Sequence, residues 1–132
     1  MTKILLIEED DDARPIIRHN LRREGYEVLL AVDEASALDW LDAGGARVDL
    51  ILVNLINKST DEALASGRRV RTHNALDGST PVVVIAERFV EGLEGLDVHA
   101  GGGEWVTYME DSTQLHQLLS RLTRRDGGTG DG

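Results

Sequence analysis

The sequence predicts a doubly wound α/β domain, in which five parallel strands form a sheet with helices on both faces. Short runs of consecutive apolar residues alternate along the chain with segments in which apolar residues recur at helical spacing. Strands that are apolar on both faces are typical of a parallel sheet covered by helices on each side. The 132 residues are enough for one domain with a sizeable core.

The N-terminal part of the chain predicts a strand followed by a helix. Residues 3–7 are a compact run of Ile and Leu, which indicates a buried strand. An acidic turn comes next, and behind it Ile16, Ile17 and Leu21 fall on one helical face. Gly25 lies where the C-terminal cap of this helix belongs.

A second strand, a second helix and a third strand are predicted next. Residues 26–32 form the second predicted strand. Asp33 is a suitable N-terminal cap for a helix whose apolar face includes Ala37 and Leu41. Residues 48–53 form the third predicted strand, which leads directly into an asparagine.

The third helix, the fourth strand and the fourth helix are predicted from the next part of the chain. Residues 62–72 indicate a helix that Gly67 weakens, and residues 82–85 indicate a strand. The following helix is predicted with two glycines inside it. Its apolar positions are Phe89, Val90, Leu93 and Leu96.

The last strand and helix are predicted from residues 104–122. Residues 104–108 indicate the fifth strand, behind the turn 101–103, whose three glycines lack the Lys and Ser/Thr of a phosphate-binding loop. Asp111 and Gln114 resemble a capping box. The helix behind them has the clearest periodicity of the chain, at Leu115, Leu118, Leu119 and Leu122.

Composition excludes several kinds of protein. The chain has no cysteine, which rules out disulfides and thiol catalysis and is compatible with a reducing cytoplasm, the location we expect. No apolar run is long enough for a membrane span or a signal peptide. The net charge of -10 argues against direct nucleic-acid binding by this domain, which requires a basic face.

Five segments of the chain resemble one family in their order and spacing. They are LLIEEDDDAR, GYEV, DLILVNL, TPVVVIA and GGGEWVTYMEDSTQL. Together they are similar to the receiver domain of two-component response regulators, which has a flavodoxin-like fold. We therefore expect residues 1–123 to form a receiver-like domain and the glycine-rich residues 124–132 to be a flexible tail or the start of a linker.

The resemblance also implies a functional pocket, but three of its positions depart from the family's pattern. Glu8 and Glu9 take the place of the acidic residues that hold Mg²⁺ in receivers. Asn54 takes the place of the phosphoacceptor Asp. Ala86 replaces the family's Thr or Ser, and Tyr108 replaces its Lys.

These replacements predict a degenerate pocket. An ionised carboxylate is a nucleophile, whereas the neutral amide of Asn54 is a poor one. Ala86 has no hydroxyl for an incoming phosphate oxygen, and Tyr108 has no positive charge to stabilise it. We therefore expect a pseudo-receiver that is not an enzyme and that acts by protein–protein interaction. Trp105 matches the strand aromatic of the family's switch, although an ordinary packing role is the simpler interpretation.

Two other functions remain open from the sequence. A conventional phosphorylated receiver would need a substitute acid, for which Asp10 is the candidate. A small-molecule or cofactor-binding protein with the same fold is the second alternative. The acids Glu9 and Asp10 leave a weak Mg²⁺ site open, although a solvated acidic loop at a helix N-terminus is the simpler interpretation.

The resemblance implies protein partners. A histidine kinase or an output domain is expected, because receivers connect these two kinds of protein. A homodimer through the predicted fourth helix, fifth strand and fifth helix is also expected by analogy with the family.

Overall fold

The computed structural model describes residues 2–44, 48–55, 58–74, 80–86 and 92–123, which contain six strands and four helices. The predicted tail at 124–132 lies outside the described residues. The strands are β1 (Lys3–Glu8), β2 (Glu27–Ala31), β3 (Leu50–Asn54), β4 (Val82–Ile85), β5 (Asp97–Gly101) and β6 (Glu104–Thr107). The helices are α1 (Ala13–Arg23), α2 (Glu34–Gly44), α3 (Thr60–Asn74) and α4 (Ser112–Thr123).

The strands form one sheet in the order β2-β1-β3-β4-β6-β5. All neighbouring pairs are parallel except β5 and β6, which are antiparallel. The predicted α/β class and its parallel sheet are therefore confirmed. Among the described residues, no helix is both long and apolar enough to cross a membrane.

The sheet differs from the prediction at its last edge, where a sixth strand precedes the predicted fifth one. Leu93, predicted to be helical, lies in a turn between Gly92 and Gly95, whose φ angles of 89° and 82° no right-handed helix contains. Leu96 leads into β5. The other apolar residues of that predicted helix, Phe89 and Val90, lie outside the described residues.

Each face of the sheet is covered by two helices. Leu21 of α1 and Leu118 of α4 belong to the apolar cluster on one face. Ala37 of α2 and Leu64 of α3 belong to the cluster on the other face. The central strands β1 and β3 are buried along almost their whole length, which explains why both are apolar at consecutive positions.

Helices α2 and α4 begin directly after the capping residues that the sequence predicts. The backbone N–H groups of Ser36 and Gln114 donate to the predicted caps Asp33 and Asp111, over 2.8 and 3.0 Å. The hydrogen bond from Ser36 lowers the pKa of Asp33. Helix α3 begins two residues before its predicted start because Ser59 and Glu62 form a reciprocal capping box that the sequence analysis missed.

A buried carboxylate joins the C-terminal half of α3 to β6. The side chain of Glu104 is 7% exposed and accepts hydrogen bonds from Arg68 and Arg71, at 2.8 and 2.6 Å. Arg71 also donates to the Gly102 carbonyl in the β5–β6 turn. Arg68 and Arg71 thereby hold the β5–β6 hairpin against α3.

Replacing Glu104 with glutamine is expected to destabilise the protein by about 1 kcal/mol near neutral pH, because a charge-assisted hydrogen-bond network becomes a neutral one. Hydrogen bonds from Arg68, opposed by burial, hold the pKa of Glu104 below its ordinary value. The stabilisation is therefore present above the unfolded-state pKa and is lost as the pH falls through the lowered folded-state pKa. Melting temperatures of both proteins between about pH 7 and pH 3 should converge at the acidic end. A constant difference would contradict the assignment.

Candidate functional site

The pocket residues predicted from the sequence lie at the carboxyl ends of the strands, the usual location of ligand sites in this class of fold. Glu8 ends β1 and Asn54 ends β3, and the two residues are paired in the β1–β3 register. Ala86 follows β4, and Tyr108 follows β6. The fold thus brings four residues that are far apart in the sequence to one edge of the sheet.

Asn54 donates a hydrogen bond from Nδ2 to Oε1 of Glu8, over 2.8 Å. Glu8 is fully buried and Asn54 is 5% exposed. The other oxygen of Glu8 accepts from the backbone N–H of Asp10, over 3.1 Å. A carboxylate in place of Asn54 would put two acceptors in contact, so the amide satisfies the buried Glu8 as well as removing a charge.

The acidic loop between β1 and α1 is held by an arginine that the sequence analysis missed. The Arg14 guanidinium donates to the carbonyl oxygens of Glu8 and Glu9, over 2.8 and 3.2 Å, and lies 2.8 Å from the Asp11 carboxylate. The available signal was its position, as the second residue of the helix that follows the five consecutive acids 8–12. Asp10 uses its own carboxylate to accept from the backbone N–H of Asp12, over 3.0 Å.

Ala86 and Tyr108 pack against the apolar cluster under α2 and α3, which also contains Val53 and Leu55. The backbone N–H of Ala86 donates to the Thr107 carbonyl, which fixes the end of β4 beside β6. Both residues follow the ends of their strands, which is where the sequence predicts them. An alanine methyl and a phenol ring at this location provide apolar surface where receivers carry polar groups.

Trp105 lies on the opposite face of the sheet from these residues. It packs against the apolar cluster beneath α1 and α4. Its ring stacks on the ring of His99 in β5, with the two ring centres 4.6 Å apart. The Arg121 guanidinium of α4 lies 5.4 Å from the centre of the Trp105 ring. Trp105 therefore connects the β5–β6 hairpin with α4 and does not contribute to the pocket.

The donor set of the pocket fits a divalent cation poorly. Among the residues that the structure describes, no group of three or more His, Cys, Asp or Glu side chains is arranged to hold a metal ion. Both oxygens of Glu8 already accept hydrogen bonds from Asn54 and Asp10. A hard cation such as Mg²⁺ would have to displace these bonds, because it requires several oxygens in octahedral geometry.

A cavity of about 480 Å³ lies next to the pocket, between the N-terminal ends of α2 and α3. Its polar lining includes Glu9, Lys58 and the ion pair of Arg69 with Glu34, whose two hydrogen bonds are each 2.7 Å long. The Arg69 guanidinium lowers the pKa of Glu34. The cavity is therefore lined by charges of both signs, and its Arg69 already pairs with Glu34.

Comparison with curated proteins finds sensory transduction and transcriptional regulatory proteins among the relatives. No family model matches the chain. The sensory transduction protein RegX3 of Mycobacterium tuberculosis is 26% identical over 127 residues, which cover 96% of this chain and 53% of the relative. The chain therefore spans about half the length of the curated relatives it matches.

Solved structures share the fold along nearly the whole chain. A two-component response regulator from Clostridium difficile has a TM-score of 0.70 at 19% identity and covers 95% of this chain and 98% of its own. The receiver domain of the sensor histidine kinase PA1611 from Pseudomonas aeruginosa, solved with a magnesium ion in its active site cleft, has a TM-score of 0.64 at 22% identity. It covers 92% of this chain and 97% of its own. The flavodoxin-like fold is thereby confirmed, and the solved structures that share it are receiver domains or response regulators.

Proposed function

We propose that this chain is the receiver domain of a two-component response regulator, and that it signals without being phosphorylated and acts through protein–protein contacts rather than as an enzyme. The observation that carries the proposal is the buried hydrogen bond from Asn54 to Glu8, at 2.8 Å. Asn54 lies at the position of the family's phosphoacceptor, and its neutral amide cannot attack phosphorus efficiently. The same bond gives Asn54 a structural role that an acceptor carboxylate would not fill.

The neighbouring residues support the same proposal. Phosphoryl transfer depends on positive charge and on hydrogen-bond donors aimed at the phosphate oxygens. Ala86 and Tyr108 instead add apolar surface to the cluster under α2 and α3. A pocket that has lost the acceptor, the hydroxyl and the cation together has little chemistry left for phosphate.

The alternative acceptor Asp10 is less well supported. Its carboxylate accepts from the backbone N–H of Asp12, and its own N–H donates to Glu8. Both bonds shape the turn that leads into α1. Asp10 therefore has a conformational role that explains its presence without chemistry.

The proposed contact surface is formed by the β5–β6 hairpin and α4. Arg121, Trp105 and His99 form a connected row across it. A histidine kinase or an output domain is the partner we propose. An output domain would account for the half of the curated relatives that this chain does not cover. A second copy of the chain on this surface stays a prediction.

Incubation with acetyl phosphate and Mg²⁺ is expected to leave the intact mass of the protein unchanged, because Asn54 offers no carboxylate to the donor. Intact-protein mass spectrometry measures this directly. The matched control is Asn54→Asp, which restores the carboxylate at the same place. A stoichiometric, hydroxylamine-labile adduct on the unmodified chain would contradict the proposal, and its loss in Asp10→Asn would assign it to Asp10.

A further inference from the structure

The solvent-facing side of α1 carries a charge pattern that the pocket does not use. Exposed residues recur there at intervals of three or four, from the turn before the helix to its last residue. They are Asp11, Asp12, Pro15, Arg18, His19, Arg22 and Arg23. We call this set the α1 stripe, which is acidic at its N-terminal end and basic at its C-terminal end.

The basic half of the α1 stripe has no ionic partner within the described part of the chain. Arg18, Arg22 and Arg23 are exposed and form no ion pair there. Like charges one turn apart repel each other. Other arginines do contact a carboxylate, namely Arg14, Arg68, Arg69 and Arg71. Unpaired arginines concentrated on one helix are therefore unusual in a chain with a net charge of -10.

The shape of this surface also suits a docked element. The basic half borders a groove of about 410 Å³, lined by Pro15, Arg18, His19, Arg22 and Arg23. Ile16 lies beside it and is 61% exposed, the largest exposed fraction among the large apolar residues that the structure describes. A groove with charged walls and an apolar neighbour has the composition of a protein contact.

We propose that a second copy of this chain docks on the α1 stripe, with the two α1 helices antiparallel about a twofold axis near the middle of the helix. This arrangement sets Asp12 opposite Arg22 of the partner subunit and Asp11 opposite Arg23 of the partner subunit. The symmetry repeats both pairs, as in any isologous contact. Antiparallel helices also place their dipoles in the favourable relative orientation.

The order of the charges favours a second copy over an acidic partner of another kind. An acidic surface that contacts Arg22 and Arg23 would meet repulsion from Asp11 and Asp12 at the other end of the stripe. A second copy supplies both signs in the required order. Asp12 is not lost to helix capping, because its side chain makes no cap hydrogen bond. Asp11 pairs with Arg14 of its own chain but is 90% exposed, so its second oxygen can face the partner subunit.

The association is expected to be weak and sensitive to salt. Exposed ion pairs each contribute little, and one helix face is smaller than the contact area of stable dimers. Sedimentation equilibrium at increasing protein concentration should show a monomer–dimer equilibrium in the full chain that added salt shifts towards monomer. A chain that stays monomeric up to its solubility limit would overturn the proposal.

Charge reversal tests the geometry of the contact. The double variants Asp11→Lys/Asp12→Lys and Arg22→Glu/Arg23→Glu should each weaken self-association by about tenfold or more. A chain carrying all four substitutions has the wild-type net charge and should dimerise again, as should an equimolar mixture of the two double variants. Circular dichroism verifies that each variant is folded. Self-association that survives both double variants would place the dimer contact elsewhere and would refute the proposal.

Discussion

The Asn54→Asp variant is expected to be less stable than the wild type by about 2 to 3 kcal/mol near neutral pH, because it places a second buried carboxylate beside Glu8 and removes the side-chain donor from which Glu8 accepts a hydrogen bond. In the wild type the amide donates to fully buried Glu8 over 2.8 Å. The introduced carboxyl cannot donate when ionised, and the neighbouring carboxylate raises its pKa. Tyr108, in place of the family's lysine, supplies no balancing charge.

The pH dependence of this variant distinguishes charge repulsion from a steric effect. A carboxyl whose folded-state pKa is raised is fully tolerated below its unfolded-state pKa and becomes destabilising as the pH rises above it. Urea unfolding should therefore show nearly equal stabilities at about pH 4 and a growing deficit towards about pH 7. Asn20→Asp makes the same chemical change at a partly exposed position of α1 and should have little effect. A deficit that is independent of pH would contradict the role we assign to Asn54.

The Gly67→Ala variant is expected to lose about 2 kcal/mol of stability although alanine is the better helix former. An added Cβ atom would clash with Cγ1 of Val82 and lie 3.5 Å from Cγ2 of Val53. Both valines are buried in the sheet, so they have little freedom to move away. The steric cost therefore exceeds the gain in helix propensity.

Thermal or urea unfolding measures this effect, and Thr72→Ala is its control. Thr72 lies on the exposed side of the same helix, so the change to alanine there should shift stability by no more than about 0.5 kcal/mol. A Gly67→Ala variant as stable as the wild type would mean that α3 moves away from β4 without cost. If the contact with Val82 causes the effect, the double variant Gly67→Ala/Val82→Ala should lose less stability than the two single variants added together.

Parts of the candidate site were predictable because they depend on local sequence. The apolar run before Asn54 places that residue at the end of a strand, and the run before Glu8 does the same. The hydrogen bond between the two was not predictable, because it joins residues 46 positions apart. Arg14 was missed for a different reason: its partners are near in the chain, but they are backbone carbonyls, which no side-chain pattern in the sequence indicates.

The β5–β6 hairpin shows the opposite case, in which a local pattern gave the wrong element. Leu93 and Leu96 have helical spacing with Phe89, but the positive φ angles of Gly92 and Gly95 end any helix between them. Residues 97–101 then form a strand because β6 offers its free edge for antiparallel pairing.

Sequence patterns were enough to predict the α/β class, the order of most strands and helices, the caps of α2 and α4, and the residues at the strand ends. These features depend on periodicity and on hydrogen bonds between near neighbours, which any stretch of chain contains in full. Three other features became visible only in the folded protein: Asn54 donates to Glu8, Gly67 must lack a side chain beside Val82, and Glu104 binds Arg68 and Arg71 of α3. Each of these contacts joins segments distant in the chain, so its partner is fixed by the packing of helices on the sheet and not by spacing in the sequence.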